Sequence, residues 1–377
     1  MKGIRARIWL QGRFREGYLV WERGKLVAVG AGEPPRKYKK ACVDRGRARI
    51  TPGFVDTLCH GFAGVGAATA AAVDLDRMAR ALARVGVTTA YAGFYPLSLG
   101  KLRAAAKRWD TYAKLRGVRT RFAGWHVEGV FVHPEMVGAL PPEDVLEPSE
   151  RNAERFVSAC GGWLRMSTIA PEVPGALDAA EVLRAHQVMP SIGHSQAEYL
   201  HCEALAANGP VAITHLGNRV LPLSAREPGP IGFAMEGRAD HVAVIPDAVH
   251  VAPETLRLWA RTSKLRDRLM AVSDNLSHAG LPAEDFEAGG QRLHRDGPVA
   301  RNKKDELGGT LDPLPELLMR RVRDGVLTMA QAIRMGCEVP GRLLGDCGRF
   351  EEGLRADFVE LREDNRIARV WVGGRQA

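Results

Sequence analysis

The sequence predicts a (β/α)8 TIM-like barrel carrying a small discontinuous β-sandwich domain formed by both termini. Three observations lead there. Between residues 51 and 345, short apolar runs of strand length alternate with helix-length segments. Seven or eight such repeats fit a closed barrel better than a doubly wound sheet. Several of the apolar runs end in a polar residue, at the carboxyl ends where such barrels place their chemistry. Both ends of the chain instead alternate apolar and polar residues, the pattern of half-buried strands. The expected domains are therefore residues 1–50 with 346–377 as the β domain, and 51–345 as the barrel.

In chain order, Ile4, Ala6, Ile8 and Leu10 form one alternating run. Segments 18–21 and 26–29 follow, separated by Arg-Glu-Gly and Arg-Gly-Lys turns, which predicts a small antiparallel sheet. Residues 356–361 and 368–372 read the same way, so the two ends are expected to pair. The barrel should begin with a strand at 51–56 and a helix over 74–85, then a strand at 88–92 and a helix over 99–115. Further strands are predicted at 122–127, 166–170, 189–192, 211–214, 241–245 and 269–272. Residues 283–312 are polar and rich in glycine (Ala288-Gly289-Gly290, then Arg301 to Asp305) and predict a loop or hairpin over the barrel.

Composition narrows the class. No apolar run reaches the ~18 residues of a membrane span, and residues 1–5 lead into a strand pattern without a signal core, so a cytoplasmic protein is expected. The six cysteines show no CxxC spacing and predict neither a disulfide framework nor a zinc finger. The net charge of +9 comes from Arg and Lys interleaved with Asp and Glu. With no basic stripe or RNA-binding aromatic motif, the surplus reads as a solvated surface, and no nucleic-acid partner is expected.

Three apolar runs end in Gly193-His194-Ser195, Thr214-His215-Leu216-Gly217-Asn218 and Val272-Ser273-Asp274, and a fourth in Trp125-His126-Val127-Glu128-Gly129. Glu128, His194 and His215 would offer one oxygen and two nitrogens, a donor set for zinc or a similar divalent ion that leaves a position for water. Asp274 is the candidate acid/base beside it. Any one of these residues alone is more often a core histidine, cap or turn residue. Four of them at strand ends point to a hydrolytic metal site.

With these motifs the chain resembles an N-acetylglucosamine-6-phosphate deacetylase of the amidohydrolase superfamily. The likeness extends over nearly the whole length, through Pro52-Gly53-Phe54-Val55-Asp56, Ala170-Pro171-Glu172, Arg226-Glu227-Pro228-Gly229-Pro230-Ile231-Gly232, Ile245 to His250, and the return at Glu352 to Phe358. The resemblance implies metal ligands at Glu128, His194 and His215 and acid/base catalysis by Asp274. It implies that Asn218 and the amide of Arg219 contact the sugar or phosphate, and that Arg226 and His250 hold the 6-phosphate, with His250 reaching across a dimer interface. A guanidinium fork and an imidazole suit a phosphate dianion.

Four departures from the family pattern stand out. Leu58, in Asp56-Thr57-Leu58-Cys59-His60, replaces the first histidine of the His-x-His pair of two-metal members, which leaves His60 as a weak ligand, a substrate contact or a packing residue. One divalent ion per subunit is expected, zinc first, with iron or another divalent metal as the alternative. Leu140, in Gly138-Ala139-Leu140-Pro141, replaces the histidine that contacts the substrate's amide carbonyl, with His133 and His278 as candidates to substitute. Gly217 and Arg219 replace an aromatic and a small residue. The leading expectation is metal-dependent deacetylation of N-acetylglucosamine 6-phosphate by a homodimer. The alternatives are the same hydrolysis on another N-acylated sugar or sugar phosphate, and a non-catalytic sugar-phosphate-binding paralogue.

Overall fold

The computed structural model describes residues 1–288 and 290–377; Gly289, part of the glycine-rich segment noted above, lies outside the described residues. Eight parallel strands form the barrel in strict chain order: Phe54–Cys59, Val87–Phe94, Arg121–Phe131, Leu164–Ile169, Met189–Ile192, Ala212–Ile213, His241–Val244 and Leu269–Ala271. The seam between the first and last closes through the Asp274 amide donating to the Leu58 carbonyl (2.9 Å) and the Ser273 amide donating to Asp56 Oδ1 (3.1 Å). The second strand is buried along its whole length, which is why its sequence shows no apolar–polar alternation.

Helices pack outside. Ala72–Arg84 buries Leu75, Met78, Ala79, Leu82 and Ala83, an i, i+3, i+4, i+7 stripe. Leu99–Ala113 starts where Ser98 Oγ accepts the Lys101 amide, and it buries Leu102, Ala105, Ala106, Trp109 and Tyr112. Inside the barrel, Leu58, Met166, Met270, Val272 and Val339 form a separate buried cluster that floors the site.

The terminal strands join in a seven-stranded sheet in which Phe358–Leu361 lies against Cys42–Pro52, so the two chain ends make one unit. One pair departs from the antiparallel expectation: Lys2–Leu10 runs parallel to Cys42–Pro52. The intervening hairpin and the short helix Arg36–Lys39 form the crossover that a parallel pairing requires. The predicted loop or hairpin at 283–312 is a four-stranded antiparallel sheet, Asp285–Ala288, Gln291–Asp296, Val299–Asn302 and Leu307–Thr310. Phe286, Leu293 and Ala300 from this sheet pack with Leu276 and Leu311, so its inward residues form a small core of their own.

Candidate metal centre and active site

The groups expected to do chemistry gather at the carboxyl ends of the strands. Glu128 lies within the third strand. His60 follows the first, His194 the fifth, His215 the sixth and Asp274 the eighth. His194, His215 and Asp274 adopt φ values of 48°, 25° and 53°. Such left-handed geometry is rare for side chains with a Cβ, and it persists only where the surroundings enforce it, often at functional sites.

Glu128 Oε1 is 3.1 Å from His194 Nε2 and 2.5 Å from His215 Nε2. Its other oxygen is 3.1 Å from His60 Nε2, which is also 3.1 Å from Asp274 Oδ1. His194 Nδ1 lies 2.8 Å from the Met136 carbonyl, an acceptor, so Nδ1 carries the proton and the Nε2 lone pair faces the carboxylate. A lone pair aimed at a buried carboxylate calls for a cation between them. Glu128, His194 and His215 present one ligand atom each, all within 4.8 Å of one another, and so do His60, Glu128 and Asp274. The first triad is the oxygen-and-two-nitrogen set that suits zinc or a similar divalent ion.

The electrostatics agree. Burial by itself would raise the Glu128 carboxyl, but the imidazoles of His194, His215 and His60 overcome it and hold the group well below the usual range. Burial likewise opposes charge on His60, yet the carboxylates of Asp274 and Glu128 outweigh it and lift that histidine to about 9. Without a metal, the Glu128 and Asp274 carboxylates favour protons on His60 and His215; a divalent ion would supply that charge instead.

His60 sits in a tight slot. Its ring stacks on Tyr95 at 4.1 Å with 2° between planes. A Cβ on Gly93 would lie 2.9 Å from His60 Nδ1, so only glycine fits there. Leu58 is fully buried in the barrel-interior cluster beneath the site and offers no ligand atom.

Glu128, His194, His215 and Asp274 line a cavity of 180 Å³ together with Tyr95, Leu140, Asn218, Arg219, His250 and residues 307–309. A larger cleft of 1040 Å³ runs between the terminal sheet and residues 112–122, but it holds none of the clustered groups. The chemistry belongs to the smaller space. Asn218 Nδ2 donates to the His215 carbonyl (3.2 Å), and the Arg219 guanidinium pairs with Glu306 at 3.4 Å. His250 lines the cavity of its own chain and holds Asp247 through Nδ1 at 2.5 Å. Arg226 is exposed and outside the lining, on a turn whose Arg226 and Glu227 amides donate to Ser224 Oγ. His133 and His278 are also outside it: His133 Nδ1 accepts the Glu135 amide, and His278 stacks on Phe286 at 4.5 Å. Tyr95, Ile245 and residues 307–309 line the cavity without having been singled out from the sequence. None of them carried a spacing signal in the sequence; Tyr95 lies three positions beyond the strand predicted at 88–92.

No family model matches the chain. It is 28% identical to an N-acetylgalactosamine-6-phosphate deacetylase of Escherichia coli O157:H7 over 337 residues, 89% of each chain. It is 28% identical to an N-acetylglucosamine-6-phosphate deacetylase of Vibrio furnissii over 358 residues, covering 94% of this chain and 88% of the relative. In three dimensions it superposes on a mutant N-acetyl-D-glucosamine-6-phosphate deacetylase of Mycobacterium smegmatis, in complex with N-acetyl-D-glucosamine-6-phosphate, with a TM-score of 0.89. That match has 29% identity and covers 100% of this chain and 98% of the other. These likenesses fit a divergent member of the N-acetylglucosamine-6-phosphate deacetylase family. The family's barrel, with its terminal strands in a separate sheet, is the architecture found here. The enzymes named are deacetylases, hydrolases of amide C–N bonds, and the clustered His and Glu groups of this chain are candidate ligands for a metal ion.

Proposed function

We propose that the protein hydrolyses N-acetylglucosamine 6-phosphate to glucosamine 6-phosphate and acetate. The observation that carries this reading is the meeting of Glu128, His194, His215 and Asp274 in one cavity at the barrel's carboxyl face. Glu128, His194 and His215 would hold one divalent ion, zinc in the first instance. When bound, such an ion supplies Lewis acidity, making water nucleophilic at neutral pH and offsetting charge on the amide carbonyl. Asp274 takes the proton from the attacking water as the new C–O bond forms. It then returns that proton to the amide nitrogen as the C–N bond breaks, releasing the amine and acetic acid, whose proton passes to the amine or to solvent to leave acetate. His60, within 3.1 Å of Asp274, orients that carboxylate. Asn218 and Arg219 contact the sugar, and His250 faces the 6-phosphate with its ring fixed by Asp247. Arg226 lies outside this cavity in the single chain, and we propose a homodimer in which a partner brings that turn to the phosphate.

No helix among the described residues is long and apolar enough to cross a membrane, in keeping with a cytoplasmic enzyme of amino-sugar metabolism. Amine release from N-acetylglucosamine 6-phosphate, with metal content determined on the same sample, tests the assignment. Turnover with one metal per chain is the expected result. The C4 epimer, the substrate named for the E. coli relative, and the unphosphorylated sugar are the controls. Equal turnover of the unphosphorylated sugar would overturn the phosphate role of His250.

A further inference from the structure

We infer that the Tyr95 hydroxyl donates the hydrogen bond to the substrate's amide carbonyl that the histidine replaced by Leu140 would have supplied. The inference rests on the deacetylase reading. Leu140 is buried in the cavity wall and has no polar hydrogen, and His133 and His278 are engaged outside the cavity. A donor must come from elsewhere.

Tyr95 immediately follows the second barrel strand, Val87–Phe94, and so stands on the same carboxyl face as the clustered groups. Its ring cannot wander. It stacks at 4.1 Å on His60, whose Nε2 lies 3.1 Å from both Glu128 and Asp274, and it also packs against the core formed by Leu276, Phe286 and Leu293. The residue lines the same cavity as Asp274 and Leu140. The other polar side chains of the lining already have roles in the deacetylase reading: Glu128, His194 and His215 toward the ion, Asp274 as acid/base, Asn218 and Arg219 at the sugar, and His250 at the phosphate. Among the described residues, the Tyr95 hydroxyl has no hydrogen-bond partner. A phenol, with an ordinary pKa of about 10, stays protonated at neutral pH and can give that proton to an oxygen bearing developing negative charge.

Tyr95→Phe removes only the hydroxyl and keeps the ring that stacks on His60. On the metal-loaded enzyme, kcat is expected to fall roughly 10²–10³-fold, the usual loss for one oxyanion donor, with KM and metal content unchanged. Calorimetry gives a second readout. A phosphonamidate analogue of the tetrahedral state should bind more weakly to Tyr95→Phe, while glucosamine 6-phosphate binds as before. Adding Leu140→His in the Tyr95→Phe background should restore part of the lost kcat. Wild-type kcat and unchanged analogue affinity in Tyr95→Phe overturn the inference while leaving the deacetylase reading intact. Absence of turnover by the unmodified enzyme defeats the deacetylase reading, and this inference falls with it.

Discussion

Asp56 stands at the seam of the barrel, and its titration should govern part of the pH dependence of stability in the metal-free protein. Oδ1 accepts hydrogen bonds from the amides of Ser273 (3.1 Å) and Leu58 (3.3 Å), joining the first and last strands, while Oδ2 is buried without a partner. Burial raises the carboxyl from 3.8 to about 6, resisted by the bonds from Ser273 and Leu58 and aided by the charge of Asp274. The folded state thus holds this proton more tightly than the unfolded chain does. The stabilisation is complete below 3.8 and is lost as pH rises through 6. A rise from 3.8 to about 6, at roughly 1.36 kcal/mol per unit, corresponds to about 3 kcal/mol. Asp56→Asn keeps the Oδ1 acceptor and cannot ionise. Urea unfolding of both metal-free proteins, followed by circular dichroism from pH 4 to pH 8, should show the variant gaining on the wild type by 2–3 kcal/mol over that range, on the order set by the shift. A stability difference that does not change with pH would refute the argument, as would a wild type that gains on the variant towards pH 8.

Four further outcomes follow from the site and the core. Asp274→Asn should lower kcat for amine release by roughly 10²–10⁴-fold while metal content stays at the wild-type level, because the acid/base is lost and the ligands are not. Zinc at a hundred times its dissociation constant should stabilise the protein by about 2.7 kcal/mol in urea unfolding; a chelator should abolish the gain, and Glu128→Gln should show none. His250→Ala should raise KM for the phosphorylated sugar by about ten- to a hundredfold, the worth of one charge-assisted hydrogen bond, without changing KM for the unphosphorylated sugar. Trp109→Ala should cost about 3–5 kcal/mol in unfolding. That indole is fully buried against Phe94, Phe122, Trp125 and Trp163, and its Nε1 donates to the Ala67 carbonyl.

Much of the architecture was legible because parallel barrel strands are buried on both faces and so read as apolar runs. The predicted strand at 189–192 matches Met189–Ile192, and the helix predicted over 99–115 forms as Leu99–Ala113. The clustering of Glu128, His194, His215 and Asp274 was legible for a related reason: a polar residue that interrupts an apolar run at its carboxyl end has few places to go except the barrel mouth. The four-stranded sheet within 283–312 was hidden, because its glycines and charges mask an alternation whose inward members, Phe286, Leu293 and Ala300, are few. Tyr95 was hidden as well. One tyrosine after a strand carries no spacing signal, and its importance appears only when the fold brings it against His60.

The site's precision comes from barrel closure more than from any loop. Left-handed backbone at a residue with a Cβ costs about 1–3 kcal/mol, and His194, His215 and Asp274 each adopt it. Glycine at these positions would remove the strain, but it would also remove the imidazoles and the carboxylate. What holds the conformation is hydrogen bonding to neighbouring segments on either side. The His194 carbonyl accepts the His133 amide (2.9 Å), and the amide after His215 donates to the Ala243 carbonyl (2.7 Å). Asp274 is fixed twice, its amide to Leu58 (2.9 Å) and its carbonyl by Thr310 (3.0 Å). Those partners lie in other strands and connections of the barrel, so each strained residue keeps its geometry only while its neighbours are in place. This is also why the proposed ligands can be scattered over 88 positions of sequence, from Glu128 to His215. The barrel gathers them at its mouth and holds them against their own backbone preference.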